Sequence, residues 1–452
     1  MEIRHASKDD IHEIMKIYEH ARHFMAGHGN PNQWGPTNWP PEGLIRQDIE
    51  GGNSYVCIHE NKIVGTFFFD RGKDVEPAYR AIEDGVWMDD SAYGVIHRLA
   101  SDGTAHGVGS FCIKWAYDQC GHLRMDTHGD NHIMQNLLKK CGFVHCGTVH
   151  VAEDDYPRLA YEKISNRKIA VFSDIHGNYG AFGECLTYAL DEGIRTLIFL
   201  GDYLGEFPYP QKTMEILYSL KEKYTCFFLR GNKEDYWISR KYDDHCVWKN
   251  GNTTVGAMKY CYENLTDKDI SFFESLPVCR EIVFDGGEPI LACHGSPDKN
   301  NEKMIPGREN TERIMSRCLQ KYVFCGHTHV QGMTVYGNKL LLNPGSVGCS
   351  LYSGGKAQFM ILWQDGQEWG HRFVSLDYDK EKVIKEMKES GLWKAALYWC
   401  RVTEHVIRTG KISQGKVLGR AMELCREKSG GCDWYQIPEI YWEEAVCELL
   451  EN

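Results

Sequence analysis

The sequence predicts a multidomain α/β protein: an α+β domain over residues 1–165, a domain of alternating strands and helices over 166–375, and a helical C-terminal cap over 376–452. Three observations carry that reading. The chain has 452 residues, well beyond the roughly 250–300 at which a single hydrophobic core stops growing. Its apolar runs change character near 168 and again near 376. Its 42% hydrophobic and 25% charged residues belong to chains that fold around packed cores rather than to disordered ones.

The elements follow in order. Residues 2–5 read as a short strand, and Ser7 ahead of Lys8, Asp9 and Asp10 as a helix N-cap. Residues 54–60 and 62–70 are strands joined by a tight turn, and 94–100 is a strand that feeds a glycine-bearing loop and a helix over 109–118. Antiparallel pairing is expected to dominate this domain. Ser165, Asn166 and Arg167 are the only spacer before the next apolar run.

From there, apolar runs at 169–172, 196–200, 225–229, 290–293, 322–325 and 340–342 alternate with helical or loop stretches. Polar residues follow these runs at once, which is where open α/β sheets bind ligands. Beyond 376, apolar residues recur at helical spacing over 380–390, 392–409, 414–428 and 439–450. That segment is too small and too rich in tryptophan to stand alone, so it is expected to pack on the second domain.

Lys+Arg 51 against Asp+Glu 63 leaves a net charge of −12, the wrong sign for bulk attraction to nucleic acid or anionic lipid. Any phosphate bound here needs a local cation. No apolar run approaches the ~18 residues of a membrane span, and the N-terminus lacks a basic flank leading into an apolar core. Eighteen cysteines without a CxxC spacing read as reduced core thiols, so the expected location is cytoplasmic.

The chemistry concentrates at the ends of the apolar runs of the second domain. Asp174-Ile175-His176, Gly201-Asp202, Gly231-Asn232, His294-Gly295 and Gly326-His327-Thr328-His329 each follow one such run. In an extended chain, residues i and i+2 point to the same side, so the carboxylate of Asp174 and the imidazole of His176 can grip one ion, and His327/His329 is again an i, i+2 pair. A single such motif is weak, because an Asp after a strand is commonly a helix cap. Five in order deliver hard oxygen and imidazole donors to one sheet edge.

These residues resemble the calcineurin-like metallophosphoesterase superfamily, whose pattern is D-x-H, G-D, G-N-H, H and G-H-x-H. The ending Asn343-Pro344-Gly345-Ser346-Val347-Gly348 is similar to its small bacterial and archaeal phosphodiesterase group. The resemblance implies a sandwich of two mixed sheets flanked by helices. It implies that Asp174, His176 and His329 hold one ion, that Asn232, His294 and His327 hold another, and that Asp202 bridges them. Two cations about 3.5–4 Å apart stabilise both the attacking and leaving oxygens of an in-line displacement and acidify a water between them. The mixed donor set suits Mn, Fe, Zn, Co or Ni better than Ca or Mg. Asn232, Lys233 and His294 are the candidate catalytic residues. Lys233 stands where many members carry His, and a lysine at its ordinary pKa of ~10.4 is a phosphate counter-ion rather than a proton donor.

In the first domain, the loop after strand 94–100 places backbone N–H groups and a helix N-terminus where a pyrophosphate can sit. Residues 96–100, Ala105-His106-Gly107-Val108-Gly109, Asn131 and Lys139-Lys140-Cys141-Gly142-Phe143 resemble a GNAT-type N-acetyltransferase. The resemblance implies acetyl-CoA held by the amides of Thr104, Ala105, His106, Gly107, Val108, Gly109 and Ser110, near Asn131, with pantetheine along Leu99 and Ala100. Thr104 replaces the Arg or Gln usual in that loop, and Leu138 stands where many members have the Tyr that protonates the departing thiolate. His97, Asp126 and His128 are candidate bases, and the aromatic loop from Gln33 through Trp34 to Trp39 lies where acceptors bind in this family.

The expected protein is bifunctional: a dinuclear phosphoesterase, a phosphodiesterase in class, fused to an acetyl-CoA-dependent N-acetyltransferase-like domain. Its expected partners are a small-molecule phosphoester, nucleotides among the candidates, and an acceptor amine. The alternative is a single-activity phosphoesterase whose first domain is a non-catalytic acetyl-CoA sensor.

Overall fold

The computed structural model describes all residues except 153–155, 166, 243–247, 249–252 and 451–452; Asn166 of the expected spacer thus lies outside the described residues. The chain divides into two compact units. One comprises Met1–Arg167 with Asp191–Gly193 and Trp363–Asp365; the other comprises Lys168–Leu190, Ile194–Leu362 and the residues from Gly366 onward.

The first unit runs β1 (Glu2–His5), α1 (Ile11–Gly27), α2 (Glu42–Glu50), β2 (Ser54–His59), β3 (Lys62–Gly72), β4 (Tyr93–Ser101), α3 (Val108–Cys120), β5 (His122–His128), α4 (His132–Lys140), β6 (Val144–His150) and β7 (Pro157–Ile164). Its seven strands lie in the order β1-β2-β3-β4-β5-β7-β6. Ser7 caps as expected, through a capping box with Asp10, but first onto a 3-10 turn (Lys8–Asp10) that leads into α1. α1 buries Ile11, Ile14, Ile17 and Tyr18, a stripe at helical spacing. Pairing is antiparallel except between β4 and β5, which are parallel and pair only at Gly94↔Leu123 and Val95↔Arg124. Both strands continue past that point without pairing to each other, and a cavity opens where they part.

The second unit continues with β8 (Lys168–Phe172), α5 (Tyr179–Asp191), β9 (Thr196–Phe199), α6 (Pro210–Lys223), β10 (Thr225–Phe228), α7 (Asn232–Tyr242), α8 (Thr253–Glu263), α9 (Asp267–Glu274), β11 (Cys279–Ile282), β12 (Ile290–Cys293), α10 (Glu309–Arg317), β13 (Tyr322–Phe324), β14 (Gly332–Tyr336), β15 (Lys339–Asn343), β16 (Ala357–Asp365) and β17 (Glu368–Leu376). Two five-stranded sheets result, β10-β9-β8-β16-β17 and β11-β12-β13-β15-β14. Alternate residues face opposite ways. Ile169, Val171, Ile198 and Leu200 meet Ile290, Ala292, Phe324 and Leu342 in the core between the sheets. Phe172 and Phe199 turn outward, stack on each other and meet Phe182 of α5 edge to face. Both faces are covered, which is why these strands read as continuous apolar runs rather than alternating ones.

The chain closes with α11 (Lys380–Glu389), α12 (Gly391–Ala395), α13 (Leu397–Thr409), α14 (Gln414–Ser429) and α15 (Glu439–Leu450). The single helix expected over 392–409 is broken at Ala396, whose φ is −149°. The cause is a close crossing: a Cβ on Gly256 of α8 would lie 1.8 Å from the Ala395 carbonyl oxygen. These helices share one apolar core with Ala257 and with the loop residues Phe207 and Cys349. Trp442 is fully buried there and donates its indole N–H to Thr254 (3.0 Å). Among the described residues, no helix is long and apolar enough to cross a membrane.

Candidate functional site

Five strand ends build one cluster. Asp174 and His176 follow β8, Asp202 follows β9, Asn232 opens α7 after β10, His294 follows β12, and His327 and His329 follow β13. The side chains do not converge by strand alternation. Asp174, His176, Asp202, His327 and His329 all adopt left-handed backbone conformations, with φ of 53°, 55°, 54°, 61° and 58°. Such conformations cost non-glycine residues of order 1–3 kcal/mol each, and they gather where a site requires them. The turns also place His327 and His329 in different pockets. Gly201 lets the loops meet: its φ is 107°, and a Cβ there would fall 2.4 Å from the backbone nitrogen of Gly231.

In the first pocket Asp174 Oδ1 lies 3.3 Å from His329 Nε2 and 3.7 Å from His176 Nε2, and the two Nε2 atoms are 3.1 Å apart. In the second, His294 Nε2 lies 3.1 Å from Asn232 Oδ1 and 3.4 Å from Asp202 Oδ1, with His327 within 4.8 Å of both His294 and Asp202. The other Asp202 oxygen is 3.9 Å from His176 Nε2, so one carboxylate faces both pockets.

The donor chemistry asks for positive charge between these atoms. His329 donates its Nδ1–H to the Cys349 carbonyl (2.9 Å) and His294 donates its own to the Leu200 carbonyl (3.0 Å). A carbonyl only accepts, so in the neutral rings both Nε2 atoms present lone pairs to the pockets. Asp174 Oδ1 is buried and has no hydrogen bond among the described residues. Lone pairs and carboxylate oxygens thus face one another, an arrangement that divalent cations satisfy. Protons are the other source of charge. Burial pulls the His176 and His294 imidazoles down, but the carboxylate of Glu206 for the first and of Asp202 for the second, with their acidic neighbours, outweigh it and raise them to about 10 and about 9. Burial pushes the carboxyls of Asp174 and Asp202 up, but His329 with His294 and His176 for the first, and His294 with His176 for the second, outweigh it and hold both well below the usual range.

Several residues that support the cluster escaped the sequence reading. Ser173 donates to Asp174 Oδ2 (2.6 Å), and Ser346 donates to the Asp174 carbonyl (2.8 Å). Glu234 is fully buried and accepts the N–H groups of Asp202, Tyr203 and Gly231 at 3.0, 3.0 and 2.7 Å, tying two of the loops together. Burial, followed by the Asp202 carboxylate, pushes its carboxyl up to about 7. Glu206 accepts from Lys233 Nζ at 2.6 Å. Neither glutamate belongs to a motif, and a carboxylate near a helix start reads from sequence as a dipole partner.

In the first unit the cavity between β4 and β5 measures about 290 Å³. Leu99, Ala100, Gly109 and Asn131 line it, as do His97, Asp126, Trp34 and Trp39. Thr104, Ala105, His106, Gly107, Val108 and Ser110 are not among its walls. Thr104 binds back to Asp102 through its N–H and hydroxyl (2.9 and 2.7 Å), and Val108 is buried. Asn131 caps α4, accepting from Met134 N–H, and donates to Gln33 (2.9 Å). His97 Nε2 lies 2.9 Å from Glu76, and Asp126 accepts from the Tyr79 hydroxyl at 2.7 Å. His128 is buried beside Asp130 and stands apart from the cavity walls.

The chain is similar to an uncharacterized protein of Methanocaldococcus jannaschii, 26% identical over 241 residues, which are 50% of this chain and 93% of that one. Among solved structures, a metallophosphoesterase from Sphaerobacter thermophilus is 22% identical over 54% of this chain and 99% of its own, with a TM-score of 0.43. A GNAT-family acetyltransferase from Streptococcus agalactiae is 31% identical over 37% of this chain and 96% of its own, with a TM-score of 0.34; it aligns with the N-terminal region. The model of the calcineurin-like phosphoesterase superfamily domain matches residues 168–365. The clustered Asp, Asn and His side chains all fall within the match. Residues 168–365 of this chain are a calcineurin-like phosphoesterase superfamily domain.

Proposed function

We propose that the second unit hydrolyses a small-molecule phosphodiester with two divalent cations bound, and that the first unit binds acetyl-CoA and acetylates an amine. The observation that carries the first part is the facing of Nε2 lone pairs and carboxylate oxygens across two adjoining pockets. Asp174, His176 and His329 would hold one ion; Asn232, His294 and His327 the other; Asp202 faces both. Bound there, Mn, Fe, Zn, Co or Ni would supply Lewis acidity at the phosphoryl oxygens and an acidified water.

The chain's own residues orient and neutralise. The Asp202 carboxylate also accepts the Lys233 N–H (2.8 Å), which fixes the start of α7 against the cluster. Carboxylates of Glu206 and Asp202 outweigh burial and raise the Lys233 ammonium above its ordinary value, so it remains a cation. Its role is to neutralise phosphate, and protonation of the leaving group falls to water.

For the first unit, the support is the cavity at the parting of parallel strands, walled by Leu99, Ala100, Gly109 and Asn131. His97, held by Glu76, is placed to take a proton from the acceptor amine. A second reading, an acetyl-CoA sensor without transfer, rests on a specific feature: no tyrosine stands among the described residues that wall the cavity, and Leu138 is buried. We place the domains at 1–165, 166–375 and 376–452, and the protein in the cytoplasm, on the strength of eighteen cysteines without a CxxC spacing.

Metal-depleted protein reconstituted with Mn or Co should hydrolyse bis(p-nitrophenyl) phosphate faster than p-nitrophenyl phosphate, and apoprotein neither. Monoester preference would overturn the diester assignment, and activity without metal the metal assignment. Acetyl-CoA titrated calorimetrically into the full chain separates both readings of the first unit from a lost binding function, and thiol release with primary amines separates transferase from sensor.

A further inference from the structure

We propose that Glu206 is a positioning residue that couples one ion pocket, the Lys233 ammonium and the C-terminal helices into a single unit. The inference rests on the dinuclear reading of the second unit and assigns a role to a residue outside every recognised motif. A carboxylate only 4% exposed is costly unless each oxygen is satisfied by a charged or hydrogen-bonding partner. Glu206 has one such partner at each oxygen. Oε1 accepts from Lys233 Nζ at 2.6 Å, and Oε2 is in ion-pair contact with His176 Nδ1. Among the described residues neither of those last two atoms has any other hydrogen-bond partner, so the carboxylate and the imidazole serve each other alone.

The three imidazoles whose Nδ1 partners are visible are not held alike. His329 and His294 donate to backbone carbonyls, whereas His176 alone rests on a carboxylate. Such a partner fixes the tautomer, turns Nε2 toward the ion and makes the ring a stronger donor. Glu206 also screens the first pocket from a second cation. A Cβ at Gly205 would lie 3.4 Å from Lys233 Nζ and 3.5 Å from His176 Nδ1, so the ammonium and the imidazole flank one spot beside this carboxylate. Without it, an uncompensated ammonium would repel a dication in the His176 pocket.

The backbone under Glu206 is anchored from both sides. Its N–H donates to the His176 carbonyl (3.0 Å). The next residue, Phe207, is buried in the core formed by the C-terminal helices. The Lys233 ammonium stands 5.6 Å from the ring centre of Trp399 on α13. The C-terminal segment therefore bears on the position of the carboxylate and of the lysine together.

The test is calorimetric Mn²⁺ titration of the metal-stripped full chain, with bound metal counted by mass spectrometry. Wild type should bind two ions. Glu206→Gln should weaken one of them about 10- to 100-fold, the usual cost of losing a partner behind a ligand, and leave the other within twofold. Lys233→Met should act with the opposite sign, tightening the same ion, because it removes the ammonium and frees the carboxylate. That opposition is a signature a merely structural glutamate would not produce, and its Lys233→Met arm is readable even if Glu206→Gln fails to fold. Two ions at native affinity in Glu206→Gln, equal weakening of both, or weaker binding in Lys233→Met would each overturn the proposal. Fewer than two ions in wild type would overturn the dinuclear reading and this inference with it.

Discussion

His176 and His329 face each other Nε2 to Nε2 at 3.1 Å, 153 residues apart in the chain, and Asp174 Oδ1, which has no hydrogen bond among the described residues, lies 3.3 Å from the second of them. His329 is bound to a carbonyl through its Nδ1 and cannot turn its lone pair away without breaking that bond. Positive charge between the rings relieves the opposition, and every supporting contact keeps the rings where that charge is needed.

Asp202 is the carboxylate shared by both pockets, so its loss should exceed that of any terminal ligand. A bridging carboxylate also offsets the repulsion between two dications. Asp202→Ala should lose stoichiometric metal and fall to background phosphodiesterase turnover, with acetyl-CoA binding unchanged. Metal content by mass spectrometry beside turnover decides it; retention of two ions with most of the activity would sink the dinuclear assignment.

Trp442 is fully buried in the C-terminal helical core and bonded to Thr254. Trp442→Ala should cost about 3–5 kcal/mol, read as a lowered unfolding midpoint in urea. Ending the chain near residue 375 should go further and yield insoluble or inactive phosphoesterase, since Phe207 and Cys349, beside the site, lie in the same core. A soluble, fully active truncation would show that the helices are a separate module.

Gly107 is the left-handed N-cap of α3, with φ of 79°. A Cβ there would meet nothing within 4 Å, so the objection to a side chain is backbone strain rather than collision. Gly107→Val should destabilise the start of α3 by at least the ~1–2 kcal/mol of a left-handed residue and weaken acetyl-CoA binding, whereas Gly107→Asn should be tolerated. Calorimetry with both variants tests this; equal affinity for all three proteins would remove the α3 start from the cofactor site.

Asp10 joins Arg4 in a bidentate pair (2.7 and 2.9 Å) and accepts from the Ser7 N–H (2.7 Å). The Arg4 hydrogen bond, outweighing burial, holds its carboxyl well below the usual 3.8. A carboxyl depressed in the folded state contributes stability that is present above about pH 4 and lost as pH falls toward its folded value. Asp10→Asn should therefore flatten the acid side of the first unit's stability profile while leaving its slope above pH 6 unchanged. Thermal unfolding at stepped pH checks the sign, and an unchanged acid slope would remove Asp10 from the balance.

Much of the molecule could be read in advance because its signals are local. Apolar runs between polar boundaries mark strands buried on both faces, and Asp174, Asp202, His294 and His327 stand just beyond such runs in any conformation the chain adopts. The amphipathic spacing of the last helices and the Ser7 cap are equally short-range. Three-dimensional packing decided the rest. Left-handed turns, not strand alternation, aim Asp174 and His176 at one pocket and divide His327 from His329. A backbone crossing at Gly256 and Ala395 splits a helix that periodicity alone leaves whole. Of the loop residues 104–110 expected to clasp acetyl-CoA, Gly109 lines the cavity, whereas Thr104 binds Asp102 and Val108 is buried. Glu206 and Glu234 acquire their roles from partners 27 to 32 positions away. A buried carboxylate takes its meaning from what surrounds it, and only the folded chain brings those neighbours together.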